Sequence, residues 1–356
     1  MKIIHCADLH LDSALSTNLP PVKAQERNAE LLASFARMVQ FAVREQVRAV
    51  LIAGDLFDSA YVSARTVSFV AEQIKNAENV AFFYLRGNHD EQNAFDGIPL
   101  PPNLKTFGKG WTAYPCGDVV ITGMELEWEK PESSFLDLNL PEDQCNIVML
   151  HGQITTQPGI DQIPLPALRN KNIDYLALGH IHSYQTGKLD HRGLFCYSGC
   201  LEGRGFDECG EKGFVLLETD GDRLQHRFIP FASRILHEIA VDISKVETVT
   251  QILSCIKRSA EDIPAKDLVR FTLAGACTLQ TQKDTRFLQK MLESDFWFVK
   301  IKDESTLKIE RESYEFDASL KGAFIRSVMA SGYTEAEQAR IITCGIRALN
   351  GEEVVL

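Results

Sequence analysis

The sequence predicts an α/β fold in which two packed mixed sheets are flanked by helices, followed by a smaller α+β domain and a C-terminal pair of helices. Three observations carry this. The first ninety residues alternate strand, loop and helix, and each strand runs into a charged motif. A series of short strands then extends from Val119 to Ile229. After Pro230 the pattern changes to a β-α-β-α-β order and then to two helical segments.

Lys2–Ala7 reads as a buried strand, and Gln25–Glu45 carries a helical stripe of Leu31, Leu32, Phe35, Met38, Val39 and Ala42. Arg48–Ala53 and Val80–Leu85 are apolar strands with a helix near Ser63–Lys75 between them. Asn93–Gly117 looks irregular, being rich in proline and glycine. Strands resume at Val119–Thr122, Asn146–Leu150 and Tyr175–Gly179, and then near Tyr184–Leu189, Phe195–Ser198 and Phe214–Glu218. The last three suggest an antiparallel portion, which Arg223–Ile229 closes.

Beyond Pro230, strands are expected at Ile235–Ile243, Leu268–Ala274, Trp297–Lys302 and Leu307–Glu310, with helices at Thr248–Arg258 and Thr285–Leu292. Ala318–Ser331 and Thr334–Leu349 read as helices around Gly332, with apolar stripes at Leu320, Phe324, Val328 and at Ile342, Ile346, Leu349. Thr334 and Glu337 have capping-box spacing, and Asn350-Gly351 is a stop signal. The expected units are residues 1–230, 231–312 and 313–356.

At 356 residues, 45% hydrophobic and 24% charged, the chain has the composition of a globular protein and room for two domains. No apolar run has the length of a membrane span. The first strand starts almost at Met1, and a cleavable leader would remove candidate site residues, so the expected location is cytoplasmic. Nine cysteines with no CxxC pair fit reduced, buried thiols better than a disulfide framework or a zinc site. Cys6 is expected to be a small strand residue turned away from the site. The net charge of −12 argues against a simple DNA-binding protein. Affinity for nucleic acid would have to come from metals, local basic patches or a partner.

Seven candidate metal ligands occupy five separate places, each where a strand should end. They are Asp8 and His10 in ADLH, Asp55 in GDLFD, Asn88 in GNHD, His151 in LHG, and His180 and His182 in GHIH. A lone histidine near an apolar run is usually a core or surface residue. Five of the nine histidines fall in these motifs, and His5, His191, His226 and His237 are read as structural.

The set describes a two-metal centre for phosphoester hydrolysis. Two divalent cations about 4 Å apart neutralise the phosphate, acidify a bridging water and hold the resulting hydroxide in line with phosphorus. Asp55 is the natural bridge. Asp8, His10 and His182 would hold one cation, and Asn88, His151 and His180 the other. A backbone turn at Gly179 would let His180 and His182 face different cations. His89 is the candidate general acid or phosphate-positioning group. Asp58 is a candidate to orient it, and Asp90 either does the same or caps the next turn.

The series DLH…GDLFD…GNHD…HG…GHIH resembles the calcineurin-like metallophosphoesterases over roughly residues 1–230. That resemblance implies a four-layer α/β/β/α sandwich. No tyrosine follows Asp55 in Leu56-Phe57-Asp58, unlike the purple acid phosphatases, so a redox-active iron pair is not expected.

The segment Tyr197–Glu208, continued by Gly210-Glu211-Lys212-Gly213-Phe214, and the strand from Arg234 are similar to the SbcD-type DNA repair nucleases. This narrower resemblance implies a manganese-dependent DNA exonuclease or endonuclease. It also implies a capping domain that positions DNA, and C-terminal helices that dock on an SMC-like ATPase. A homodimer through the catalytic domain is a further family trait. Leu11-Asp12-Ser13 departs from the Leu-Gly of the best-known members and marks a divergent branch.

Arg204 and Lys212 are the candidate phosphate contacts; Arg86, Trp297 and Phe298 are read mainly as structural. Two alternatives remain: a phosphodiesterase or phosphatase acting on a small nucleotide or other phosphoester, and a regulatory subunit of an SMC-like ATPase.

Overall fold

The structure is a computed structural model. It describes the whole chain except residues 16–18, 59–61, 91–93, 96–97, 127–132, 156–161, 221–222, 279–280, 309–313 and 350–356. The Asn350-Gly351 stop signal and the end of the strand expected at Leu307–Glu310 therefore lie outside the described residues. Two compact units are present, Met1–Ile235 and Leu236–Leu356.

The first unit runs β1 (Lys2–Cys6), α1 (Pro21–Arg44), β2 (Ala49–Ala53), α2 (Ala64–Asn76), β3 (Ala81–Leu85), β4 (Leu104–Thr106), β5 (Thr112–Cys116) and β6 (Val119–Gly123). It continues through α3 (Ser133–Leu136), β7 (Cys145–His151), β8 (Gln153–Thr155), β9 (Gln162–Pro164), α4 (Leu165–Leu168) and β10 (Tyr175–Gly179). It ends with β11 (Gln185–Lys188), β12 (Leu194–Tyr197), β13 (Gly213–Asp220) and β14 (Arg223–Pro230).

One six-stranded sheet has the order β14-β13-β1-β2-β3-β4, and the other β11-β12-β10-β7-β6-β5. Strands β1 to β4 pair in parallel, as do β6, β7, β10 and β12, while β5, β11, β13 and β14 join antiparallel. The expected antiparallel portion is thus divided between the two sheets. The Asn93–Gly117 stretch, expected to be irregular, contributes edge strands β4 and β5. They are short and interrupted by polar residues, so their periodicity is weak.

Alternation explains the layers. Ile3, Leu51, Phe83 and Leu217 from one sheet meet Ile121, Met149, Tyr175 and Cys196 from the other in a shared core. The outer face of the second sheet packs Val148, Leu176 and Leu178 against Phe135 of α3 and Leu168 of α4. On the first sheet, α1 reaches β13 through the Phe41–Phe214 ring contact, with centroids 5.3 Å apart. Helix α1 starts at Pro21, four residues before the expected Gln25, because proline at the first helical position supplies the right φ and lacks a donor that would go unpaired there.

The apolar stripe of α1 conceals two polar residues, Arg27 and Ser34. Arg27 binds Glu202 at 2.7 Å and the Gly203 carbonyl at 2.9 Å, and Ser34 Oγ also donates to Glu202. Residues 199–212 are thereby tied to α1. Arg234 pairs with Glu30 at 2.7 Å, and the Ser233 amide donates to Glu202 at 2.6 Å. These bonds hold residues 231–235 in the first unit, five residues past the expected boundary.

The second unit contains β15 (Leu236–Asp242), α5 (Val249–Ser259), β16 (Leu268–Ala274), β17 (Ala276–Cys277), α6 (Thr285–Leu292), β18 (Phe298–Asp303), β19 (Thr306–Leu307), α7 (Leu320–Met329) and α8 (Glu335–Leu349). Strands β15, β16 and β18 form a parallel sheet. Val241, Phe271 and Leu273 from it pack with Ile252, Ile256, Leu288 and Leu292 of α5 and α6. The Thr334–Glu337 capping box is formed. Helices α7 and α8 share a small core of Ile325, Val328, Ile342 and Ile346, with Leu307 against it. Residues 313–356 therefore do not stand as a third unit. Of the expected stripes, Leu320 and Leu349 are exposed. Among the described residues, no helix is long and apolar enough to cross a membrane.

Removing one partner of a buried ion pair strands the other charge. Arg27→Ala is expected to cost about 3–5 kcal/mol of stability in the first unit, measured by urea unfolding. Val43→Ala, at an exposed position of α1, should stay within about 0.5 kcal/mol of the parent.

Candidate metal centre

The candidate ligands follow the carboxyl ends of parallel strands in both sheets, where open α/β sheets place their chemistry. Asp8 and His10 follow β1, Asp55 follows β2, Asn88 follows β3, His151 ends β7, and His180 and His182 follow β10. The loops after β1 and β2 continue the strand pairing: Asp8 N donates to Gly54 O, His10 N to Asp55 O and Leu11 N to Leu56 O, at 2.9–3.1 Å.

This pairing holds Asp8, His10 and Asp55 at φ of 52°, 45° and 49°, left-handed values that non-glycine residues rarely adopt. His180 has φ 95°. The turn separating His180 from His182 is thus made by His180 itself and not by Gly179. Gly179 instead permits close approach, since a Cβ there would lie 1.9 Å from Ala53 O and 2.7 Å from His151 Nδ1.

All seven candidate ligands converge. His10 Nε2 and His182 Nε2 lie 3.2 Å apart. Asn88 Oδ1 lies 2.9 Å from His151 Nε2 and 3.2 Å from His180 Nδ1. Between these two groups sits Asp55 Oδ2, 3.6 Å from His10 Nε2 and 3.4 Å from His151 Nε2. Asp55 Oδ1 accepts the His89 amide at 2.9 Å. Asp8 Oδ1 accepts the His180 amide at 2.8 Å, while its buried Oδ2 has no hydrogen-bond partner in the structure.

An orphaned buried carboxylate oxygen, facing imidazole nitrogens and a shared amide oxygen, is what a site for hard or borderline divalent cations requires. The donor sets Asp8-His10-His182 and Asp8-Asp55-His151 each bring their ligand atoms within 4.8 Å.

Burial dominates the electrostatics. It pushes the Asp8 carboxyl up to about 6 and His10 down to about 4. For His151, burial is outweighed by the hydrogen bond and charge of Asp55, which raise it to about 9. Asp55 is correspondingly held well below the usual carboxylate range. His151 Nδ1 lies 2.9 Å from the Ala53 carbonyl, so Nδ1–H donates there and Nε2 faces the cluster.

The outer residues make contacts other than those expected. Asp58, expected to orient His89, is 3.8 Å from His89 Nδ1 but only 2.8 Å from His10 Nδ1 and 2.9 Å from Arg204 Nη1. Arg204, expected as a phosphate contact, is mostly buried and paired with both Asp58 and Glu208. Lys212, the other expected phosphate contact, is 3% exposed and donates to the His182 carbonyl at 2.7 Å. Its ammonium supports the loop from behind.

Asp90 is a cap. Its carboxylate accepts the amides of Leu56, Phe57 and Gly87 and joins the two motif loops. His89 has a side chain 46% exposed and stands edge-on to His10, with ring centroids 4.8 Å apart. Arg86 forms an ion pair with Glu125, and Cys6 is buried with its thiol on the Leu51 carbonyl.

Glu208 was missed. Its Oε1 lies 2.7 Å from His182 Nδ1, and Oε2 accepts the Arg204 amide at 2.7 Å. Burial, which raises its pKa, is overcome by His182 and Arg204, and the carboxyl is held far below the usual range. Only its place in the loop after GHIH could have signalled this.

Comparison with known proteins agrees with the geometry. Across 339 residues the chain is 27% identical to an uncharacterized metallophosphoesterase, YhaO, of Bacillus subtilis (strain 168), covering 86% of this chain and 82% of that protein. It is 24% identical over 375 residues to the DNA double-strand break repair protein Mre11 of Sulfolobus acidocaldarius, covering 96% and 94%. It is 26% identical over 284 residues to Mre11 of Methanosarcina mazei, covering 74% of this chain and 44% of that longer protein. The family profile of the calcineurin-like phosphoesterases matches residues 1–184, the stretch that supplies every candidate ligand from Asp8 to His182, and the chain belongs to that family.

Proposed function

We propose that the chain is a two-metal phosphodiesterase acting on DNA, a nuclease of the SbcD and Mre11 type. The observation that carries the hydrolytic part is the position of Asp55 Oδ2 between two groups of ligand atoms. The choice of DNA rests on the relatives named as DNA double-strand break repair proteins, one of them matched over nearly its whole length. When bound, two divalent cations, with manganese the proposed pair, supply phosphate neutralisation and an acidified water.

The chain's own groups do the rest. Asp8, His10 and His182 would hold one cation, Asn88, His151 and His180 the other, and Asp55 would be shared. His89 stands at the open side, held through its amide by Asp55, where its imidazole can donate a proton to the leaving oxygen. Docking of α7 and α8 on an SMC-like ATPase, and pairing of two catalytic units, belong to the same proposal. With a net charge of −12, a partner that supplies DNA affinity is consistent with it.

The test is manganese-dependent hydrolysis of end-labelled single- and double-stranded DNA, with bis-p-nitrophenyl phosphate as the small substrate. Asp55→Ala should abolish cleavage of both. His89→Ala should lower kcat by about 10²–10⁴-fold and leave metal binding intact. Hydrolysis of the small diester alone, with DNA inert even beside an SMC-like ATPase, would move the assignment to a small phosphoester.

The His151 shift gives a second prediction. A nitrogen that binds a cation must be deprotonated, whereas metal-free His151 keeps its proton up to about pH 9. Calorimetric titration with Mn2+ near neutral pH should therefore release protons, giving enthalpies that differ between buffers of different ionisation heat. The difference should shrink as the pH rises towards 9. Equal enthalpies in all buffers at neutral pH would contradict the assigned His151–Asp55 state.

A further inference from the structure

The two histidines that meet at 3.2 Å through Nε2 are each backed by a carboxylate on the opposite nitrogen. Glu208 Oε1 lies 2.7 Å from His182 Nδ1, and Asp58 Oδ1 lies 2.8 Å from His10 Nδ1. Arg204 joins the two carboxylates, with Nη1 2.9 Å from Asp58 Oδ1 and Nη2 3.0 Å from Glu208 Oε1. Ring, carboxylate, guanidinium, carboxylate and ring thus form a closed circuit around one side of the cluster. Its members come from the loops after β1, β2 and β10 and from the segment before β13. On the other side, His151 Nδ1 bonds the Ala53 carbonyl at 2.9 Å, with Asp8 Oδ1 3.9 Å away.

A carboxylate behind an imidazole fixes its tautomer, orients its other nitrogen and raises its basicity. The guanidinium keeps Asp58 and Glu208 from repelling each other and from leaving their rings. We infer that Asp58, Arg204 and Glu208 form a clamp that sets the affinity of the cation position facing Asp8, His10 and His182, and that the position facing Asn88, His151 and His180 is independent of it. The two positions are then unequal, and the clamped one depends on residues that stand behind its histidines. This assigns Asp58, Arg204 and Glu208 as positioning residues, and it rests on the two-metal reading above.

The experiment is equilibrium binding of Mn2+ to the full chain by calorimetry, with electron paramagnetic resonance to separate coupled pairs from single ions. Wild type should take up two Mn2+ per chain and show the coupled signal. Glu208→Gln retains shape and an acceptor oxygen but removes the charge. It should weaken one binding step by about 10–100-fold and leave the other unchanged. At Mn2+ levels that fill only the unaffected position, the signal should be that of a single ion. Raising Mn2+ should restore the coupled signal and return kcat to within about twofold, as a positioning role requires. Asp58→Asn, at the other end of the circuit, should weaken the same step, and it replaces Glu208→Gln as the deciding variant if that protein does not fold. Folded variants that bind both ions with wild-type affinity, or lose both equally, overturn the clamp. A wild-type chain that never takes up a second ion overturns the two-metal reading itself.

Discussion

Everything at this site depends on how closely the two sheets approach at their carboxyl ends. Gly179 of β10 passes so near Ala53 of β2 that a single Cβ would collide with the Ala53 carbonyl. The same carbonyl accepts His151 from β7. Because three strands from two sheets meet there, ligands that lie far apart along the chain reach one cluster without long, mobile loops. Gly54 and Gly87 make similar allowances, since a Cβ at either would strike His151 or Asp55. The shared core beneath, with Ile3, Leu51, Ile147 and Ala177 packed between the sheets, maintains this spacing.

Much of this was legible in the sequence, because the ligands sit beside strong signals. Apolar runs such as Ala49–Ala53 and Tyr175–Gly179 declare their own ends, and the motif residues follow at once. Residues acting at one remove were harder to see. Glu208 and Arg204 lie in a loop without periodicity, and their roles follow from a tertiary contact with His182 and Asp58. Lys212 looked like a surface cation because lysine usually is one; its burial follows from the loop folding back on the His182 carbonyl. Arg27 and Ser34 lie on an otherwise apolar stripe, and only the position of Glu202 explains them. Strands β4 and β5 were lost among prolines and glycines because edge strands carry little alternation.

Charge is distributed with the same economy. The chain is strongly acidic, yet the carboxylates nearest the cluster are each answered. Asp55 faces His151, Glu208 and Asp58 face Arg204, and Asp90 is spent on three backbone amides. Among the described carboxylates, Asp8 alone keeps a buried oxygen without a partner in the structure. Outer acidic groups such as Asp58, Glu208 and Asp90, already satisfied, do not compete for cations, which leaves the inner donors, Asp8 and Asp55 among them, as the place where a divalent ion gains most.

The left-handed backbone at Asp8, His10 and Asp55 separates shape from charge. Among non-glycine residues, asparagine and aspartate enter this region most readily, because their short side chains can bond locally. Exchanging aspartate for asparagine at positions 8 and 55 would remove the anion and leave the loop conformation intact. A descendant of such a protein could fall silent as a catalyst while its cleft kept its contours, and survive as a binding module on the same scaffold. The step from enzyme to adaptor is therefore short in this architecture, because backbone pairing between the two loops holds their strained conformation.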